Sequence, residues 1–540
     1  MTAPVRLHRG TAGLDAAVLR PGADLVLDPS PEHGLALPAG VAVDDHLDDA
    51  ARAAADRDAF AAMAAWRAAR ATSLTVDGVD LGFAWEIELL ASCFLPATRL
   101  RHALTRAGVT AVEGAGLSEE LLSVVTEAGI DARTGSGAGA APALPKAPPA
   151  PLARLVSDVG VPPRVRGEVL ALSYWHLEPV WRRLAAQRRP QLVPAGVLLP
   201  GVGRAGAMRA GLHGGWGGHP NAAARRRSAE RLAAVLDGAG PPLDALDALA
   251  LRMLRDRAHD TLARAAHWRR VLSARSLRLI VLPFDSPEDQ RILLGVAREA
   301  GLPSLLVQHG FDSQLNDPDK SLADDVALWA ERDVAPVAAR ASGALHVTGN
   351  PGAAHLAQPP ARSVRAGAAA GPTVVLVDYH TRISARIDAR ISQRHVATAL
   401  DVLQRQRPGT DVIVRPHPSD VAPASYLALA TGRDLHVTVD AVTPIETLLA
   451  DAGACVGALS TATLQAAALG VPTTFLDVTS TPRPWPFDGS PDGLPRIADV
   501  TGELASSAAD APAREALGAR TDAIERVCDL VSSLARAGRA

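Results

Sequence analysis

The chain has few cysteines, almost no lysine and no long apolar run. Cys93, Cys455 and Cys528 are scattered through 540 residues. An odd, widely spaced set builds neither a disulfide framework nor a cysteine-rich zinc site. Two lysines stand against 53 arginines. Together with the heavy use of alanine, that reads as coding bias without functional weight. Net charge is −3, so no global field recruits nucleic acid, and none is expected as a partner. Arginine clusters such as Arg225–Arg227 read as solvated helix faces. The absence of 18 consecutive apolar residues excludes a membrane-spanning helix. The opening "MTAPVRLHRGTAGLD" has no apolar core of a secretory signal. The expected location is the cytoplasm, with peripheral attachment at the inner face of a membrane left open.

What is present is a soluble globular composition, 48% hydrophobic and 21% charged, and length for about three to four domains. Residues 134–151, "TGSGAGAAPALPKAPPAP", lack periodicity and read as a linker with an extended proline-rich half. Before it, short apolar runs ("ADLVLD", "GVTAVE") alternate with "DDAARAAADRDAFAAMAAWRAARA" and "WEIELLASCFLPATRLRHALTRAG". Residues 1–133 are thus a small α/β domain without a recognisable chemical constellation. His46, His102 and Trp85 there read as packing or surface residues.

After the linker, strand and helix patterns alternate more cleanly, beginning with "AGVLLPG" (195–201), "LRLIVLP" (277–283) and "PSLLVQHGFD" (303–312). A break at 357–372 precedes "TVVLVDYH", "DVIVRPHP", "DLHVTVD", "ACVGALS" and "PTTFLD". Thr443 and Glu446 are expected to form a capping box around Pro444. Continuous apolar strands with intervening helices imply parallel sheets covered on both faces. The expectation is an α/β protein with two Rossmann-like domains, 152–358 and 371–500, facing a cleft, and a helical tail at 501–540.

In such sheets ligands bind beyond the C-terminal strand ends. Those ends carry Gln308-His309-Gly310, Thr348-Gly349-Asn350-Pro351, Tyr379-His380-Thr381, Arg415-Pro416-His417-Pro418 and Ser460-Thr461-Ala462-Thr463. In "ALSTATLQAAALGVP", hydroxyls crowd the first turn of a helix whose free amides suit a phosphate. Plain N-capping explains the same hydroxyls. His309 precedes a glycine at a strand end and suits a general base facing the cleft; bonding to a loop carbonyl is its structural alternative. Two formal motifs carry less. "GVGRAG" (201–206) matches G-x-G-x-x-G, but no second strand with a terminal acid follows about 20 residues later. "DPD" (317–319) has the form of a metal-binding D-x-D around a central proline, and no metal is expected.

The series "LVQHGF", "HVTGNP", "RPHP" and "STATLQAAALGVP", in this order, resembles the two-Rossmann-domain (GT-B) transferases of bacterial capsule and teichoic acid assembly. These include capsule polysaccharide Kdo transferases, sialyltransferases and CDP-glycerol glycerophosphotransferases. The resemblance covers roughly 270–480 and implies a nucleotide-sugar donor held by the second domain and a glycan or lipid-linked acceptor on the first. It implies no cofactor and no metal. Arg415, His417, Ser460, Thr461 and Thr463 would then hold the donor and its phosphates. His309 would be the catalytic base, and Gln308, Gly310, Gly349, Asn350, Tyr379 and His380 would line the cleft. Related enzymes carry a glutamate where this chain has Gln465, a neutral group that still bonds a hydroxyl. An isomerase resembling UDP-GlcNAc 2-epimerases, a non-catalytic nucleotide-sugar binder and, last, an oxidoreductase are the competing classes.

Overall fold

The computed structural model describes residues 4–9, 19–21, 23–27, 42–115, 117–134, 167–172, 174–187, 190–195, 222–273, 276–285, 288–310, 323–338, 343–358, 371–377, 391–417, 425–478, 496–497, 499–505 and 510–538. The motifs at 201–206 and 317–319, together with Tyr379 and His380, lie outside them.

Three wholly parallel sheets organise the chain. The first contains β1 (Val5–Arg9), β2 (Asp24–Leu27), β5 (Ala111–Ala115) and β6 (Asp131–Thr134) in the order β2-β1-β5-β6. A two-stranded antiparallel turn, β3 (Thr75–Val76) with β4 (Val79–Asp80), sits beside it. The second sheet contains β7 (Val169–Leu172), β8 (Leu192–Ala195), β9 (Leu279–Leu282), β10 (Ser304–Val307), β11 (Asp325–Leu328) and β12 (Ala344–Val347). Its order is β12-β11-β10-β9-β7-β8. The third contains β13 (Thr373–Val377), β14 (Asp411–Pro416), β15 (His436–Val439), β16 (Ala454–Gly457), β17 (Thr473–Leu476) and β18 (Arg496–Ile497), in the order β15-β14-β13-β16-β17-β18. Runs such as Leu279–Leu282 and Thr373–Val377 are buried at every position, as strands covered on both faces must be. The α/β class and the two Rossmann-like units hold.

Where elements start and stop differs in places from the sequence pattern. The alternation begins at β7 and its partner β8, ahead of the first strand expected at 195–201, of which residues 196–201 lie outside the described residues. The helix expected over "WEIELLASCFLPATRLRHALTRAG" widens into a π-helical turn at Leu90–Phe94 just before Pro96, which has no N–H to donate. The capping box does not form. Val442 N and Thr443 N donate to Asp440 Oδ1 instead (2.9 and 2.8 Å), and Pro444 occupies the cap of the helix Ile445–Asp451 without a side-chain bond.

Two larger corrections concern how the pieces join. The proline-rich segment does not divide the core. One cluster of buried residues runs from Leu7 and Trp66 through Leu249 and Trp268 to Leu293, so the first sheet's helices pack directly on those preceding β9 and following it. Polar side chains cross the same seam: Trp85 Nε1 donates to Thr261 Oγ1 (3.0 Å) and Trp66 Nε1 to Asp247 Oδ1 (2.6 Å). The expected C-terminal tail is also a structural layer. Helix Ala523–Ala537 buries Val527, Cys528, Val531 and Ala535 against Val169, Val281 and Leu305 of the second sheet. Helix Asp510–Ala516 joins a cluster with Trp329 beyond β11 and Leu464, Ala467 and Phe475 of the third sheet, holding the two six-stranded units together. The three cysteines are buried in these cores. Burial pushes the Cys528 thiol up to about 12 and raises that of Cys455 as well, which leaves both unreactive.

Candidate functional site

Each six-stranded sheet reverses its winding once, and the crevice opened there is where a doubly wound sheet receives ligands. In the second sheet the chain lays β8 on one side of β7 and then returns to place β9 on the other, so the reversal lies between β7 and β9. In the third, β14 and β15 extend one way from β13, and β16 to β18 the other, so it lies between β13 and β16.

A ring cluster occupies the first crevice. Tyr174 follows β7, Phe284 follows β9 and His309 follows β10. His309 lies 5.8 Å from the Tyr174 ring, 5.2 Å from Phe284 and 6.3 Å from His176 between centroids. Tyr174 and Phe284 meet edge to face at 5.2 Å. His176 is completely buried, and its pKa lies well below the ordinary imidazole value. Burial, which disfavours the cation, is the main cause. Positive charge on His309 acts in the same direction, and a hydrogen bond to the Val307 backbone opposes both. The site therefore sets a neutral buried imidazole behind a half-buried one.

In the second crevice, Ser460 has extended backbone (φ −148°, ψ 166°) and caps the helix Thr461–Ala468, its Oγ accepting from Thr463 N at 3.2 Å. Thr463 is fully buried, and its Oγ1 would lie 2.3 Å from a Cβ at Gly457, so the lack of a side chain there admits the helix. Ser460 and Thr463 thus build the turn, while the partly exposed Thr461 stands on its rim. On β14, Val412, Val414 and Pro416 are buried on one face, Ile413 and Arg415 alternate to the other, and His417 lies just past the strand. Arg415 is registered with Leu376, which packs with Ala466 of the capped helix, so this helix and Arg415 share a face of the sheet. Its Nη1 donates to Asp440 O at 2.9 Å, with the Asp440 carboxylate 3.8 Å away. The strand continues through Pro416, which pairs with Val377. The expected stop at Val414 is two residues early, because the missing proline N–H is no loss at a strand's last residue.

The two crevices face one another. A Cβ on Gly310, next to His309, would stand 3.9 Å from Thr461 Oγ1. The loop that carries His309 therefore approaches, through Gly310, the N-terminus of a helix belonging to the other sheet, where unpaired amides favour negative charge.

Other expected residues serve the frame. Gln308 ties the loop after β10 to Trp329: its Oε1 accepts from Trp329 N (2.9 Å), and its Nε2 donates to Gly310 O (3.2 Å). Asn350 is fully buried; its Oδ1 accepts from Gly352 N (3.0 Å) and its N–H donates to Gly518 O (2.9 Å). Gly349, at φ 86°, lies against Gly518, Arg520 and Ala523. These two turn the chain against the C-terminal segment, a role their position after a strand does not reveal. Gln465 Nε2 donates to Glu446 Oε1 at 3.2 Å, so a carboxylate from the neighbouring helix accompanies the neutral amide. Tyr174, His176, Phe284 and Glu446 are the residues that strand-end reading missed. "LALSYWHLEP" carries the first two, and its signal was the apolar run VLAL ending in aromatic and imidazole groups. Among the described residues, no three His, Cys, Asp or Glu side chains gather as a metal site requires, and no helix is long and apolar enough to cross a membrane.

No family model and no curated protein matches the chain. Solved structures similar to it include MurG from Acinetobacter baumannii, at 12% identity and a TM-score of 0.36, covering 68% of this chain and 100% of that one. The glycosyltransferase SnogD from Streptomyces nogalater aligns at 16% identity and a TM-score of 0.35, again covering 68% and 100%. Phytolacca americana UGT2, complexed with UDP-2fluoro-glucose and pterostilbene, aligns at 11% identity and 0.30, covering 70% and 95%. At these scores the likeness carries no argument, and the architecture rests on the strand orders above.

Proposed function

We propose that this chain is a GT-B-type transferase that moves a glycosyl or closely related group from a nucleotide-activated donor to an acceptor hydroxyl, in the assembly of a bacterial surface polysaccharide. The observation that supports this reading is the approach of Gly310, the residue after His309, to Thr461 Oγ1. In this reading the imidazole of His309 works near an anion-favouring helix start from the other unit, as transfer from a phosphate leaving group requires. The order of the "QHG", "TGN", "RPHP" and "STAT" motifs supports the same class.

In this reading His309 takes the acceptor's proton as its oxygen attacks the donor carbon. The bond to the donor phosphate breaks, and the nucleotide leaves with its electron pair. Fixed donors stabilise that growing negative charge: the amides opening the helix Thr461–Ala468, with Arg415 on the same face of the sheet and His417 just past its strand. Ser460 and Thr463 hold the turn in place, which preorganises those amides. Gln465, paired with Glu446, offers hydrogen bonds to donor hydroxyls. The buried, neutral His176 stands behind His309, 6.3 Å away between ring centroids. Neither a cofactor nor a metal is assigned a part. The acceptor is a glycan or a lipid-linked glycan, reached from the cytoplasm at or near the membrane face.

The test is a thermal-shift series with CMP-, CDP-, UDP- and GDP-linked compounds. Binding at a hundred times Kd stabilises by about 2.7 kcal/mol, so a base-selective rise in Tm names the donor class. Absence of any base-selective shift sinks the reading. Selective binding without turnover of any donor–acceptor pair would replace it with a nucleotide-sugar binder.

A further inference from the structure

A second cavity, of about 420 Å³, lies where the β3–β4 turn and the segment following it meet helix Glu288–Glu299. This seam joins the N-terminal unit to the second sheet and contains none of the strand-end residues. Its walls include Arg67, Phe83, Arg291 and Arg298. Arg291 is 2% exposed and Glu86 1%. The two are ion-paired at 2.5 Å, and Arg67 Nη1 reaches the other oxygen of the same carboxylate at 2.6 Å. One buried carboxylate thus serves two guanidinium groups.

The donors are also under-used. Among the described residues, Arg291 bonds only through Nη1, to Glu86 and to Phe83 O (3.0 Å), and its buried Nε finds no hydrogen-bond partner. Among the same residues Arg67 bonds only through Nη1. A buried guanidinium nitrogen without a partner is costly and calls for an acceptor. Both guanidinium groups lie against the Phe83 ring, at 4.2 Å for Arg291 and 5.4 Å for Arg67, which fixes them side by side. Two carboxylates share the walls, but each is already engaged. Asp80 Oδ1 accepts from Phe83 N (2.9 Å), and Glu299 Oε2 pairs with Arg269 Nε (3.0 Å). Glu299 lies so close over Gly78 (φ 71°) that any side chain there would displace it.

We propose that this cavity binds the phosphate or pyrophosphate group of a small soluble ligand, held by Arg67 and Arg291 with Arg298 at its side. Paired guanidinium forks suit such an oxyanion, since each offers two parallel N–H donors. The site is independent of the transferase reading, because it uses no residue of the crevices.

The test is calorimetric titration of the full chain with inorganic pyrophosphate in chloride buffer. Wild type is expected to bind pyrophosphate saturably. Arg67→Gln and Arg298→Gln should each weaken binding at least tenfold in the His417→Ala background, which removes the proposed phosphate contact of the crevice, while the surface variant Arg255→Gln leaves it unchanged. Arg291→Met removes the central donor, and circular dichroism would report whether it folds. The two exposed-side variants keep the test decisive if it does not. Absence of saturable heat in the His417→Ala background overturns the proposal, and so does binding there that survives Arg67→Gln and Arg298→Gln.

Discussion

Arg70 and Asp247, 177 residues apart, form an ion pair in which both side chains are buried, at 5% and 1% exposure. Arg70 ends the first long helix of the N-terminal unit, and Asp247 stands in the first turn of the helix Ala245–Arg257. Arg70 Nη2 also donates to Pro241 O (2.9 Å), and Asp247 Oδ2 accepts from Leu243 N (2.7 Å). The pair therefore sits inside a satisfied network at the seam between two units that the proline-rich segment separates in sequence.

Asp247→Ala leaves a buried guanidinium without its carboxylate, and the expected loss is about 3–5 kcal/mol. Urea unfolding followed by circular dichroism should show a lower midpoint. Because the core is shared across the seam, the N-terminal unit should unfold together with the second sheet. Two well-separated transitions in the wild type would contradict the shared core.

Glu288 supplies a pH dependence. With 14% of its side chain exposed, its pKa is raised to about 7, chiefly by burial. The nearby Arg264 opposes the shift, and Asp289 and Asp260 add to it. The folded state thus holds a proton that the unfolded state releases at lower pH. This contribution to stability is full below the unfolded carboxylate pKa and is lost as pH rises through about 7. Glu288→Gln should gain on the wild type by at most ~3 kcal/mol across that window. His176, with its lowered pKa, slopes the other way, but it is common to both proteins and cancels in the difference. Parallel Tm curves from pH 4.5 to 8 would show that ionised Glu288 costs nothing.

The two crevice histidines should separate kinetically. His309→Ala removes the proposed base and is expected to lower kcat by about 10²–10⁴-fold, with nucleotide affinity kept. His417→Ala removes a phosphate contact worth about 1.5–3 kcal/mol, so it should raise the nucleotide Kd about tenfold or more. Full turnover in both variants would remove both assignments.

Gly310 tests the facing of the crevices without touching a charge. It is not among the glycines with positive φ, so a side chain is conformationally tolerated there. Gly310→Leu extends into the space before Thr461 Oγ1. Stability should change by less than about 0.5 kcal/mol, while donor affinity measured by calorimetry falls. Unaltered affinity would mean the donor does not pass between these residues.

Much of the frame was legible in the residues. Apolar runs such as LIVL and TVVLV declare buried parallel strands by themselves, because strands covered on both faces need no polar alternation. Strand-end reading put His309, Arg415, His417 and Thr461 at or just past the ends of buried strands, since the end of a strand is a local property. It could not tell Ser460 and Thr463, which build a turn, from Thr461, which stands on its rim. That distinction depends on Gly457 admitting the helix. It also placed Gly349 and Asn350 at the cleft; in the fold Gly349 lies against, and Asn350 N bonds to, a segment about 170 residues further along the chain.

The sequence by itself determined the class of fold, most of the strands and the chemistry at their ends, because periodicity and strand termination depend on neighbours along the chain. The tertiary structure decided strand order, and with it the two reversals that choose among strand ends. It brought Tyr174, His176 and Phe284 around His309 and carried the Glu446 carboxylate to Gln465. It also returned the final helix to the second sheet and set Arg67 and Arg291 on one carboxylate. Each of these contacts joins groups from separate elements, and their energy comes from desolvation and packing, which exist only once the elements have met.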